Sequence, residues 1–302
     1  MRRRLALVSL ALTLLLPTMS LAGPWTKEGG HHYIKLGTDF FYTTDYADSR
    51  TTDTDDTTGV KEFIGTGINL YGEVGIFPLW PIQLTLSVPL TVGTSTFADT
   101  QLIGEGQVGK ATGVRAGDLR VALQTSILRK GFQLAPSVEV KIPTYSNDRV
   151  GKGLGPYREW VPIPGDGQID ITPMLLMGGS FGEKIPMWAE GGIGYRFRTE
   201  AFVGWTTDNA FVDGVPFYAA VGVAPARSWV VLRIDGLKNI KEDDISREFV
   251  TLGPSVGVTI WKGLAIEARL AGDLLARNAP RGISAGIGLS WRYPFPAPNP
   301  EE

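Results

Sequence analysis

The sequence predicts an all-β fold, an antiparallel transmembrane barrel of about twelve strands with short periplasmic turns and long extracellular loops. Three observations predict it. Apolar and polar residues alternate with period two along the chain, the links between those segments alternate in length, and an export signal precedes them with no spanning helix behind it.

The alternation is clearest where Ile82, Leu84, Leu86, Val88, Leu90 and Val92 interleave with Gln83, Thr85, Ser87, Pro89 and Thr91. Successive side chains of a strand point to opposite faces, so one face is apolar and the other polar. Leu119 to Ile127 and Phe132 to Ile142 repeat the pattern. Each run has about eleven residues, the length a tilted membrane strand needs and longer than the usual five or six of a soluble sheet. Similar segments lie near 31–42, 63–76, 82–93, 115–127, 132–142, 167–179, 187–198, 215–224, 229–238, 249–261, 263–273 and 282–293.

The links between these segments alternate strictly. Short ones fall at 77–81, 128–131, 180–186, 225–228 and Lys262, and longer ones at 43–62, 94–114, 143–166, 199–214, 239–248 and 274–281. A first strand running outward from a periplasmic amino terminus makes every odd link extracellular, and in outer-membrane barrels those are the long ones. The polar faces carry Gly65, Gly67, Gly286, Gly288 and Ser290, small residues suited to a confined lumen. Trp80, Trp188, Trp205, Trp229, Trp261, Trp291 and Tyr293 gather near strand ends, where a membrane interface places an aromatic girdle.

Arg2, Arg3 and Arg4 followed by the apolar run Leu5 to Leu16 form a secretory signal, too short to span a bilayer as a helix. Ser20-Leu21-Ala22 places cleavage before Gly23. The expected organisation is a signal at 1–22, a barrel over 23–295 and a Pro-rich acidic tail at 296–302 disordered in the periplasm. Only about eight residues then separate the new amino terminus from the first strand, too few for a lumen hatch from that end. The whole sequence has 29 Lys plus Arg against 31 Asp plus Glu, so no basic surplus exists to hold nucleic acid. With no Cys and two adjacent His, thiol chemistry and most transition-metal ligand sets drop out, and neither a metal nor a cofactor is expected.

Period two places Lys35, Arg120, Lys141, Arg196, Arg198, Arg233, Arg269 and Arg292 inward, with Asp39, Glu73, Asp118, Glu139, Asp170, Glu190, Asp235 and Glu267. An Arg or Lys facing lipid at the midplane costs roughly 2–4 kcal/mol, so these charges require an inner wall that is wet or mutually paired. Twelve strands leave a narrow passage. The loop at 143–166, with Trp160, Pro156, Pro162 and Pro164, is the candidate constriction.

Gly117-Asp118-Leu119 opens a strand, Pro136 with Lys141-Ile142-Pro143-Thr144 closes the next, and Gly165-Asp166-Gly167-Gln168-Ile169-Asp170 opens another. With Gly191-Gly192-Ile193-Gly194-Tyr195-Arg196, these motifs resemble the outer-membrane family named for association with the meta-pathway of phenol degradation. Tyr145 departs from that pattern, standing where the family often has Gly. The resemblance implies an outer-membrane transporter or channel and supplies no binding residues.

The expected function is a porin-like passive channel in a Gram-negative outer membrane for a small solute, an aromatic or other hydrophobic compound among the candidates. A closed barrel with a structural or surface-interaction role is the alternative, and an outer-membrane hydrolase using His31 or His32 is a third. Expected partners are outer-membrane lipid and lipopolysaccharide, the barrel assembly machinery during insertion, and the solute; nucleic acid is not among them. Gly104 to Lys110 imitates a phosphate loop without the helix such a loop needs, and Asp53 to Asp56 imitates a calcium loop without its closing Glu.

Overall fold

A computed structural model describes residues 23–47, 59–77, 80–98, 107–145, 165–203, 211–242 and 246–294. The strands are β1 (His32–Ala47), β2 (Gly59–Gly75), β3 (Ile82–Ala98), β4 (Gly109–Ala116) and β5 (Asp118–Thr125). Next come β6 (Phe132–Pro143), β7 (Gln168–Phe181), β8 (Met187–Gly194), β9 (Phe197–Phe202) and β10 (Gly214–Val223). The chain ends with β11 (Ser228–Asn239), β12 (Glu248–Trp261), β13 (Leu264–Arg277) and β14 (Ala279–Tyr293). Neighbours pair antiparallel in the ring β2-β1-β14-β13-β12-β11-β10-β8-β7-β6-β5-β3, and β3 pairs with β2 to close it. The two remaining strands continue existing staves, β4 above β5 against β3 and β9 above β8 against β7. The barrel therefore has twelve staves, one for each alternating segment of the sequence.

Both interruptions have local causes. Between Leu90↔Ala116 and Ser87↔Arg120, three residues of one strand oppose two of the other, a β-bulge centred on Gly117. Its backbone N–H donates to the Pro89 carbonyl at 2.8 Å. The extra residue inverts the alternation, so Ala111, Gly113 and Arg115 face inward above the bulge while Asp118 and Arg120 face inward below it. At Tyr195 the cause is proline on both sides. Pro173 in β7 and Pro216 in β10 have no N–H to donate, so both ladders lapse there and resume in the same register at Ile171↔Phe197 and Arg196↔Gly214.

The ring is inverted relative to a soluble barrel. Leu36, Ile68, Leu70, Leu86, Val88, Leu90, Ile283 and Ile287 stand exposed on the outside, while Gln83, Thr85, Ser87, Ser95, Ser284 and Ser290 are buried within. An apolar surface this continuous suits hydrocarbon rather than water. We expect Ile287→Arg, mid-stave and paired with Thr38 and Ala268, to cost about 2–4 kcal/mol in reversible unfolding from lipid vesicles. A cost below about 1 kcal/mol would mean that this face does not meet the bilayer core.

Three expectations are corrected by the structure. The link expected at 274–281 shrinks to Asn278 in a left-handed conformation (φ 52°), because β13 and β14 run on above the bilayer segment. A bulge in β13, where Val250↔Leu275 is followed by Thr251↔Asp273, puts Leu274 out of phase and hides the strand's continuation. The girdle is also incomplete. Trp80, Trp261, Trp291 and Tyr293 are exposed on the outside, but Trp188 shares a face with Glu190, and Trp229 one with Arg233, so both indoles turn inward. They lie over Gly222 and Gly257, where any side chain would meet the rings. Trp205 lies outside the described residues, as do Trp160, Asp53 to Asp56, the signal and the acidic tail. Gly109 and Lys110 open a strand, so no helix follows the glycine-rich segment.

The third correction concerns the amino terminus. Residues 23–30 turn back into the periplasmic mouth. Eight extended residues reach at most about 26–29 Å, short for a folded hatch yet enough to lie across part of a narrow mouth. Pro24 is fully buried, its ring against the space that Gly178 leaves free. Gln124 Nε2 donates to the Gly23 carbonyl at 2.9 Å, and the Lys27 N–H donates to Gln83 Oε1 at 2.8 Å. Thr26 and Ser126 hydroxyls share a hydrogen bond at 2.6 Å, and Lys27 Nζ pairs with Glu73 at 2.9 Å. These anchors lie on or beside β2, β3, β5, β7 and β8, along one half of the ring.

Candidate functional site

The inner wall carries its charges in two groups. The first occupies β5, β6, β7 and β9. Arg120 donates to Glu139 at 2.6 Å. Lys141 lies 2.7 Å from Asp166, 2.8 Å from Asp170 and 4.0 Å from Asp118, and Arg198 pairs with Asp166 and lies 3.8 Å from Asp170. The side chains of Lys141 and Asp170 are only 6% and 1% exposed. Pairing at that depth offsets desolvation rather than adding net stability, but a partner removed leaves an uncompensated buried charge. Burial alone would raise Asp166, but Lys141 and Arg198 beside it hold its carboxyl well below the usual carboxylate range. Tyr145 donates to Asp118 at 3.0 Å and also accepts the Gly167 N–H. The position that departs from the family motif thus serves the same cluster.

Arg196 stands apart. Its Nε and Nη2 are buried and meet no hydrogen-bond acceptor among the described residues. The backbone around it is held by reciprocal bonds with Gly214, while its side chain borders a small cavity of about 20 Å³ that Glu139, Lys141 and Asp170 of the cluster share with Pro216, Leu237 and Phe249.

The second group lines the other wall. Lys35 pairs with Glu267, which also accepts from Tyr33 at 2.9 Å and Ser290 at 2.7 Å. Arg269 pairs with Asp39. Arg233 grips Asp235 at 2.8 Å, lies 3.7 Å from Glu190 and stacks over the Tyr218 ring at 4.2 Å. Glu73 accepts from Tyr71 at 2.5 Å besides pairing with Lys27. Between these residues lies a cavity of about 250 Å³, bounded by Lys35, Asp39, Arg233, Asp235, Glu267 and Arg269 with Asn69 and Tyr71. Gly37, Gly286 and Gly288 keep the wall thin there, and a side chain at Gly286 would strike Asp39.

Towards the extracellular end the lining turns apolar. Phe41, Phe63, Phe97, Leu237 and Phe249 alternate onto the inner face and are buried, and Phe41 and Phe63 meet at 6.1 Å between ring centroids. Ala135, Met174, Leu176 and Tyr218 fill part of the opposite interior.

Strand parity in the sequence places all fifteen charged lumen candidates on the inner face; ring closure decides which of them meet. Asp166 and Lys27, which complete both groups, escape the parity argument because they lie outside the strands. Arg292, the sixteenth charge assigned inward, is exposed at the periplasmic rim. His32 sits among the outer aromatic belt, stacked on Tyr293 at 5.2 Å and edge-on to Trp291 at 5.1 Å, and His31 lies 3.9 Å from an exposed Glu28. Among the described residues no group of three or more His, Cys, Asp or Glu side chains is placed to hold a metal ion.

No family model and no curated protein matches the sequence. Among solved structures, an outer-membrane channel from Pseudomonas putida F1 superposes with a TM-score of 0.63 at 13% identity, covering 90% of this chain and 99% of that one. At that identity the likeness shows a shared fold, the outer-membrane barrel. The toluene transporter TbuX of Ralstonia pickettii gives 0.42 at 9% identity, covering 90% and 91%, and the monoaromatic hydrocarbon channel CymD gives 0.43 at 8%, covering 88% and 89%. The resemblance to the meta-pathway family stands on its motif residues alone.

Proposed function

We propose that this chain is an outer-membrane channel through which a small solute with a compact apolar body and an anionic end diffuses passively. The observation that carries this reading is the 250 Å³ cavity inside an inverted barrel, walled by charges of both signs. Ligand pockets commonly measure about 300–1,000 Å³, and roughly 150 Å³ already admits benzene, so the cavity matches a single-ring molecule. The buried inward aromatics of the outer half suit the body of such a solute, and the Arg196 Nε and Nη2 donors, without an acceptor among the described residues, suit a carboxylate. Opposed charges in a narrow bore select by size and sign together.

Reconstitution of the mature chain in liposomes tests the reading. Entry of a single-ring carboxylate faster than that of a disaccharide is expected, and so is saturation at high solute concentration. A closed barrel of structural role is the second reading, favoured by the buried aromatics and by the arm in the mouth. It is the outcome if no solute enters through either the full mature chain or one lacking residues 23–29.

A further inference from the structure

Among the anchored residues of the arm, Gly23 occupies an unusual position. A side chain on it would begin 2.5 Å from Glu190 Oε2 and 3.0 Å from the Trp25 ring, so residue 23 lies directly against the Glu190 carboxylate. Its carbonyl is held by Gln124, and the next residue is fully buried. Glu190 projects inward from β8 with one cation near it, Arg233 at 3.7 Å, which is already gripped by Asp235 at 2.8 Å. The other described carboxylates near Glu190 are Asp235, gripped by Arg233, and Glu73, paired with Lys27, so three carboxylates face two cations and one negative charge is left without a close partner.

The missing cation has a source in the chain. Hydrolysis of the Ala22–Gly23 amide by a signal peptidase consumes one water. It leaves a carboxylate on the departing segment and an amine on Gly23 that is largely protonated at neutral pH. We infer that Glu190 is the receptor for this new α-ammonium, and that export processing thereby seats residues 23–29 as a latch over the periplasmic mouth. Before cleavage the same nitrogen is an uncharged amide and offers Glu190 no ion pair. After cleavage the pair is shielded by Pro24, Trp25 and the barrel wall, where an ion pair is screened far less than at the surface. Lys27 with Glu73 then acts as a second clasp further along the arm. The latch does not require that the lumen conduct, so this inference and the channel reading fail separately.

The test uses the purified mature protein in detergent, with its α-amine isotopically dimethylated and followed by NMR against pH. The α-amine is expected to titrate at least one unit above the ordinary range of about 7.7–8.0, and Glu190→Gln is expected to bring it back. A Cys introduced at Thr26, in a chain otherwise free of cysteine, is expected to react at least tenfold faster with a bulky thiol reagent in the Glu190→Gln background. An Ala inserted ahead of Gly23 shifts the ammonium without touching the barrel, and is expected to match Glu190→Gln in both measurements. An α-amine with ordinary titration in the mature chain would overturn the inference, as would sequencing that shows cleavage at another bond. Unchanged reactivity at position 26 in both variants would also overturn it.

Discussion

Replacing Lys141 with Met is expected to destabilise the barrel by about 3–5 kcal/mol, the usual consequence of stranding buried charge. The ammonium lies within 4.0 Å of Asp118, Asp166 and Asp170, and its removal leaves Arg198 as the closest cation to the latter two. Asp170 is almost wholly enclosed, only 1% exposed. Denaturant titration in vesicles measures the loss, read from tryptophan emission and from the shift in electrophoretic mobility on unfolding. Neutralising the stranded partners alongside, with Asp118→Asn and Asp170→Asn added to Lys141→Met, is expected to restore much of the stability. The reason is that a buried pair replaced entire is often close to neutral. A single-variant loss under about 1 kcal/mol would show that water reaches the cluster.

Arg196→Gln is expected to leave folding nearly unchanged and to alter selectivity. Among the described residues no carboxylate forms a salt bridge with the guanidinium, so its removal breaks no such pair and relieves two buried, unsatisfied donors. For a permeating carboxylate, a hydrogen bond to a charged group contributes about 1.5–3 kcal/mol, or roughly tenfold or more in occupancy. Permeability ratios in planar bilayers decide the matter. The preference for a ring carboxylate over the matching neutral amide is expected to fall about tenfold, and the reversal potential in a salt gradient to move toward cations. Equal ratios in wild type and variant would remove Arg196 from the solute's path.

Much of the fold was legible because one rule covers all twelve staves. Parity along a strand assigns each residue to a face, and it placed Lys35, Asp39 and Glu267 together on the inner wall from their positions alone. It failed where the chain steps out of period. Leu274 in its bulge concealed the upper part of β13, and the phase change at Gly117 left the upper half of one stave, β4, largely inside the expected link at 94–114. Trp188 and Trp229 had the parity of Glu190 and Arg233, but their place near turns suggested an interfacial belt. The inward turn of both indoles depends on Gly222 and Gly257 of the neighbouring strands. The arm at 23–30 has no periodicity to read at all.

Alternation and link length are properties of adjacent residues, so the barrel, its stave count and the outward aliphatic face of its strands were readable from the chain alone. The closed ring was needed to show that Lys141 gathers three carboxylates, that Arg196 pairs with none among the described residues, and that Gly23 comes to rest beside Glu190. Those meetings join residues far apart along the chain, and the register at which the ring closes sets who faces whom across the lumen.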